Sequence, residues 1–104
     1  MIKHIQSENF KEEVLENSKV VVVDFFATWC MPCKMLTPVL EKVANSRADF
    51  DIVKVDVDEA QDLAAKYAIQ AVPTLLVFKD GEEVNRFSGY MEEEDLVNKI
   101  EENI

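Results

Sequence analysis

Two residues in this chain could carry redox or metal chemistry: Cys30 and Cys33, its only cysteines, spaced C-x-x-C within FFATWCMPCK at residues 25–34. Such a pair can be half of a metal site, a structural crosslink, or a dithiol that opens and closes. A structural zinc site takes four ligands, usually Cys or His. The chain offers two cysteines and a single histidine, His4, far away in sequence, so a complete site would need carboxylates or a second chain. A permanent crosslink gains most by closing a long loop, and a C-x-x-C loop is among the shortest possible. The spacing therefore favours a switch.

The segments around the pair must position it. VVVVDFF, residues 20–26, is β-branched and aromatic, and apolar on both faces except for Asp24. It reads as a central strand covered on both sides, which favours a parallel arrangement. After the cysteines, Leu36, Val39, Leu40 and Val43 recur at helical spacing, with Pro38 expected to kink that helix. Cys30 falls at the junction. With Cys30 as N-cap, Pro32 lies in the first turn, where its missing N–H costs nothing. The Cys33 backbone N–H then points at the Cys30 sulfur. That donor and the positive helix end favour a thiolate over a thiol. Cys30 is expected to be exposed, and Cys33, one turn in, shielded. Side chains at i and i+3 are roughly 5–6 Å apart at Cβ, so the pair can bond with little backbone movement.

Asp24 is the second anomaly. A carboxylate inside so apolar a strand is expensive to ionise, and burial should raise its pKa. Its place, six residues before Cys30 on the strand that feeds the active helix, points to function rather than to a satisfied or edge-facing Asp. Lys54, on the next central strand, could sit beside it and limit the cost. Equally, its stem could pack over the core with the amine in solvent.

The remaining elements follow from pattern. Ser7 can cap a first helix with the apolar stripe Phe10, Val14 and Leu15. Residues 52–57 form a second central strand. Asp58 and Gln61 resemble a capping box for a short helix carrying Leu63, Ala64 and Tyr67. Residues 74–78 and 84–87 flank Asp80-Gly81, a hairpin signal. Leu96, Val97 and Ile100 give a closing helix whose acidic first turn, 92–95, suits the positive helix end. The expected fold is α/β: a central mixed β-sheet flanked by helices on both faces, in a single domain over 1–104.

A chain of 104 residues with 48% apolar and 31% charged residues is expected to be a soluble globular protein. The N-terminal stretch MIKHIQSENF has no apolar h-region, and no run approaches the ~20 residues that span a bilayer. No membrane contact and a cytoplasmic location are expected. Net charge is −10, with 21 acidic residues against 11 basic ones, which argues against nucleic acid or an anionic membrane as partner.

DFFATWCMPCK, KVDVD at 54–58 and AVPTLLVFKDGEEV at 71–84 together resemble the thioredoxin family, in register over nearly the whole chain. The resemblance implies the thioredoxin fold and reduction of protein disulfides by dithiol–disulfide exchange. It implies that Cys30 is the nucleophile and Cys33 the resolving thiol. Asp24 is then the buried carboxyl that takes and returns the Cys33 proton, with Lys54 tuning it. Pro73 resembles the proline whose preceding cis peptide bond faces the cysteines and leaves the Val72 backbone to pair with an extended substrate. Trp29, Met31, Pro32, Val57, Val72 and Gly89 would complete an apolar substrate groove with Pro73.

No bound cofactor is expected beyond the redox-active disulfide. The implied partners are disulfide-containing proteins and a thioredoxin reductase, either a flavoprotein or a ferredoxin-linked enzyme, and a monomer is expected. The alternatives are a non-catalytic peptide-binding module and a more oxidising, isomerase-like relative. Oxidising relatives often carry His at the position of Pro32, so its absence favours a reductant. The chain departs from the family pattern at Met31, which replaces a glycine, at Ala68 and Ala71, where glycines are common, and at Phe26, which replaces a frequent tryptophan.

Overall fold

The structure is a computed structural model and describes residues 2–104. Its centre is a five-stranded sheet of β1 (Lys3–His4), β2 (Val20–Phe26), β3 (Phe50–Asp56), β4 (Thr74–Lys79) and β5 (Glu82–Ser88), in the order β1-β3-β2-β4-β5. β1 and β2 both run parallel to β3, whereas β4 is antiparallel to β2 and β5 to β4. The sheet is therefore mixed, as the α/β pattern requires, and β2 lies in its middle. All seven residues of β2 are buried.

Alternation along β2 divides the core in two. Val20 and Val22 pack on one face with Leu36, Leu40 and Val43 of α1 (Met31–Ser46) and with Leu96 and Ile100 of α3 (Glu93–Glu101). Val21, Val23 and Phe25 pack on the other with Phe10, Val14, Phe78 and Leu63, the last from α2 (Gln61–Lys66). Asp24 belongs by parity to the α1 face, between the valines and a small cluster of Phe26, Ala27, Cys30 and Cys33. β2, α1 and β3 form a crossover unit whose strands pair directly, so the chain leaving β2 must turn sharply into α1. That turn carries the cysteines.

Several local expectations are corrected. Ser7 does not cap a helix. A 3-10 turn, Ser7–Asn9, starts after Gln6, whose N–H donates to Asn9 Oδ1 at 3.0 Å, and the Ser7 hydroxyl donates to Asp62 instead. The segment that follows, Lys11–Leu15, is a π-helical turn. Asp58 does not cap α2 either. Ala60 holds that place, because Asp56 Oδ1 accepts the Asp58 N–H at 2.8 Å and closes a turn one step earlier. β3 ends at Asp56 rather than Val57. The hairpin at Asp80-Gly81 has φ of 52° and 81°, the left-handed pair that a two-residue type I′ turn needs. A side chain at Gly81 would also meet the Leu15 carbonyl oxygen at 2.9 Å.

Candidate functional site

Cys30 is the N-cap of α1: its backbone is extended, and its Sγ accepts the Cys33 N–H at 3.2 Å. Pro32 lies within the first turn, where no N–H is needed. The two sulfurs are joined in a disulfide, with the α-carbons 5.3 Å apart.

The expected contrast in exposure does not appear. Cys30 is 4% exposed and Cys33 2%, because Phe26, Ala27, Val57 and Val72 pack around both. Cys30 Sγ lies 3.6 Å from the Val72 carbonyl oxygen. In the disulfide that contact has no proton to share, whereas a reduced thiol could donate to it. The flanking residues are the open ones: Trp29 is 69% and Met31 64% exposed. Met31 is the first residue of α1, in a helical conformation that makes no use of a glycine's freedom.

Asp24 is fully buried, and neither carboxyl oxygen has a hydrogen-bond partner. Burial pushes its pKa up from 3.8 to about 7, against the opposing pull of the Lys54 charge. Lys54 is the register partner of Asp24 across β2 and β3, and it is buried as well. Its ammonium is not in solvent. It donates to Thr37 Oγ1 at 2.8 Å and lies 4.5 Å over the Phe26 ring. A pocket of about 270 Å³ opens between Cys33, Lys34, Thr37 and Lys54.

On the other side of the cysteines, a shallow groove of about 410 Å³ is lined by Trp29, Val57, Ile69, Gln70, Ala71 and Val72. It gathers Trp29, Val57 and Val72 from the expected set and adds Ile69, Gln70 and Ala71. Met31, Pro32, Pro73 and Gly89 do not line it. Pro73 follows a cis peptide bond at Val72–Pro73, and its carbonyl accepts the Gly89 N–H at 2.9 Å. Two contacts were beyond sequence reasoning. The Trp29 indole N–H donates to Asp58 Oδ2 at 3.0 Å, across 29 positions. Thr37 joins Lys54 to α1 in a helix position that reads as surface. Among the described residues no group of three or more His, Cys, Asp or Glu side chains is gathered to hold a metal ion, and no helix is long and apolar enough to cross a membrane.

A disulfide at the start of a helix, fed by a central strand and edged by an apolar groove, defines a protein of dithiol–disulfide exchange. The thioredoxin family model matches residues 1–102. A thioredoxin of Chlamydia trachomatis is 43% identical over 100 residues, covering 96% of each chain. One from Staphylococcus haemolyticus is 43% identical over 104 residues, covering 99% of this chain and 98% of its own. One from Mycoplasmoides gallisepticum is 40% identical over 95 residues, 91% of this chain and 95% of its own. The chain belongs to the thioredoxin family. It is a dithiol–disulfide oxidoreductase, and membership implies disulfide-bonded targets and reduction by a thioredoxin reductase.

Proposed function

We propose that the chain works as a single-domain, monomeric donor of electrons to protein disulfides, with Cys30 as nucleophile and Cys33 as resolving thiol. The observation that supports this order is the Cys33 N–H aimed at Cys30 Sγ at the start of a sixteen-residue helix. In the reduced protein, that donor and the helix dipole stabilise negative charge on Cys30 and not on Cys33. The Cys30 thiolate attacks one sulfur of the target, and the other leaves as a thiolate. The Cys33 thiol passes its proton to the Asp24 carboxylate, and the Cys33 thiolate attacks Cys30 Sγ. The Cys30–Cys33 bond forms, the mixed disulfide breaks, and the target's second sulfur departs and is protonated. Two electrons have moved from the dithiol to the target.

Lys54 tunes Asp24 by its charge. Trp29, Val57 and Val72 receive the apolar residues beside the target disulfide, and Met31 and Pro32 present a second apolar edge at the helix start. Pro73, tied to Gly89 by the bond from the Gly89 N–H to its carbonyl, anchors the segment that brings the Val72 carbonyl beside Cys30. The absence of a basic residue between the cysteines suits a reductant, and the reducing cytoplasm is the compartment such a donor fits. A flavoprotein or a ferredoxin-linked reductase would return the oxidised protein to the dithiol.

The assignment is tested by trapping. Cys33→Ser should accumulate mixed disulfides with disulfide-bearing proteins, seen as thiol-sensitive bands on non-reducing gels, and Cys30→Ser should trap almost none. Equal trapping by both variants would remove the nucleophile assignment.

A further inference from the structure

Asp24 and Lys54 are buried register neighbours on adjoining strands, whose spacing of roughly 5 Å a lysine side chain easily crosses. Yet the ammonium does not take the carboxyl as its partner: both Asp24 oxygens are without one. It takes Thr37 Oγ1 at 2.8 Å and the Phe26 ring face instead. Thr37 is itself fixed, because its hydroxyl proton goes to the Cys33 carbonyl oxygen at 3.1 Å. That donation turns the hydroxyl's lone pairs toward Lys54. The ammonium is thus tied to the same turn of α1 that carries Cys33.

We propose that Thr37 is a positioning residue for the second half of the exchange. Its hydroxyl, locked by the Cys33 carbonyl, keeps the Lys54 ammonium on α1 and off the Asp24 carboxyl, which stays unpaired and able to exchange the Cys33 proton. This rests on reading Asp24 as the proton acceptor of Cys33. Without the hydroxyl, the ammonium is free to turn to Asp24, the buried carboxyl of its own register partner, whose charge it already influences. A direct ion pair favours the carboxylate, and a carboxylate so paired is a weaker base for the Cys33 thiol. Near the pair on this side of the sheet the ionisable groups include Asp56 on β3, His4 on β1, which is the register partner of Lys54, and Lys34 on α1. From β4 and α3 the buried residues on this side are Leu75, Val77, Leu96 and Ile100, and the α3 carboxylates Glu93 and Glu101 are paired at the surface with Lys42 and Arg47.

The test follows the Asp24 carboxyl carbon by NMR through a pH titration of the oxidised wild type, Thr37→Val and Thr37→Ser. Val keeps the shape of threonine without the hydroxyl, and Ser keeps the hydroxyl. The midpoint should drop by about one pH unit or more in Thr37→Val, the effect of an opposite charge brought into contact. Thr37→Ser should titrate close to wild type. In a Lys54→Met background, Thr and Val at position 37 should titrate alike. Should Val fail to fold, Thr37→Ala is read in the same way. An unchanged or raised midpoint in Thr37→Val, a Ser variant that moves with Val, or a difference that survives Lys54→Met would overturn the proposal. Release of a mixed disulfide by Asp24→Asn, measured in single turnover, separates the two readings. An unchanged rate there removes Asp24 as the acceptor, and with it the catalytic part of the role of Thr37, whereas the titration alone decides whether Thr37 holds Lys54.

Discussion

Asp24 sits in the one place on β2 where a charge has no donor to meet it, and this has a thermodynamic sign. Its folded pKa of about 7 lies above the unfolded value near 3.8. Between those values the native state holds a proton that the unfolded chain has released. The native state then binds more protons, so stability falls as pH rises through the window. Each pH unit costs about 1.4 kcal/mol, a few kcal/mol in all above the folded pKa. Asn cannot ionise and has nearly the same size. Asp24→Asn should therefore be more stable than wild type at pH 8, by urea unfolding of the oxidised proteins, with the gain shrinking toward zero near pH 4. No gain at pH 8 would mean that the carboxyl is solvated. The cost borne at neutral pH is the cost of keeping an ionisable carboxyl inside the molecule.

At the scale of elements, α2 ends in a geometry its sequence does not suit. Ala68 has φ of 53°, the Ala68 N–H donates to the Ala65 carbonyl at 3.1 Å, and the Ile69 N–H donates to the Ala64 carbonyl at 2.9 Å. That is a Schellman ending with alanine where glycine is normal. A left-handed L-residue costs about 1–2 kcal/mol, and glycine gives back about 0.4–1 through the freer unfolded chain. Ala68→Gly should thus stabilise by something on the order of 0.5–1 kcal/mol and raise Tm by a few degrees. An equal or lower Tm would mean that the turn relaxes in solution. The same helix shows where sequence reading succeeds and fails. β2 was legible to the residue because an unbroken β-branched run has one good solution, a strand buried on both faces. Cys30 as N-cap was legible because Pro32 and the strand before it leave α1 one place to begin. The caps at Ser7 and Asp58 escape the pattern because each turn is closed by a different side chain: Asn9 accepts the Gln6 N–H and Asp56 the Asp58 N–H, so the helical starts shift to Gln6 and Ala60. β1, of two residues, is too short to carry a period. The Trp29–Asp58 and Lys54–Thr37 bonds join distant residues, and no local pattern encodes them. The burial of Cys30 escaped for the same reason, since Val57 and Val72 cover it from elsewhere in the chain.

For the molecule as a whole, a net charge of −10 is confined to a body of 31 × 30 × 22 Å. At 0.01 M salt the screening length is about 30 Å and every charge feels the others, whereas at 0.15 M it is about 8 Å. Exposed pairs such as Lys3–Glu13 and Lys42–Glu93 are local, screened by solvent, and contribute little. Long-range repulsion should therefore dominate, and the urea midpoint at pH 8 should rise when sodium chloride goes from 0.01 to 0.15 M. A midpoint that falls would place the balance with the ion pairs. The sheet order has a further consequence. β2 is bonded along both edges, to β3 and to β4, while β1 and β5 each have a free side. Amide protons on the outer strands can trade with solvent through fraying, but those of β2 exchange only when the whole sheet comes apart. In deuterated buffer the Asp24 amide should be among the last to lose its proton, on the timescale of global unfolding. The carboxyl proposed as the base of the exchange reaction is thus built into the slowest-opening part of the molecule, held in place while the cysteines beside it open and close.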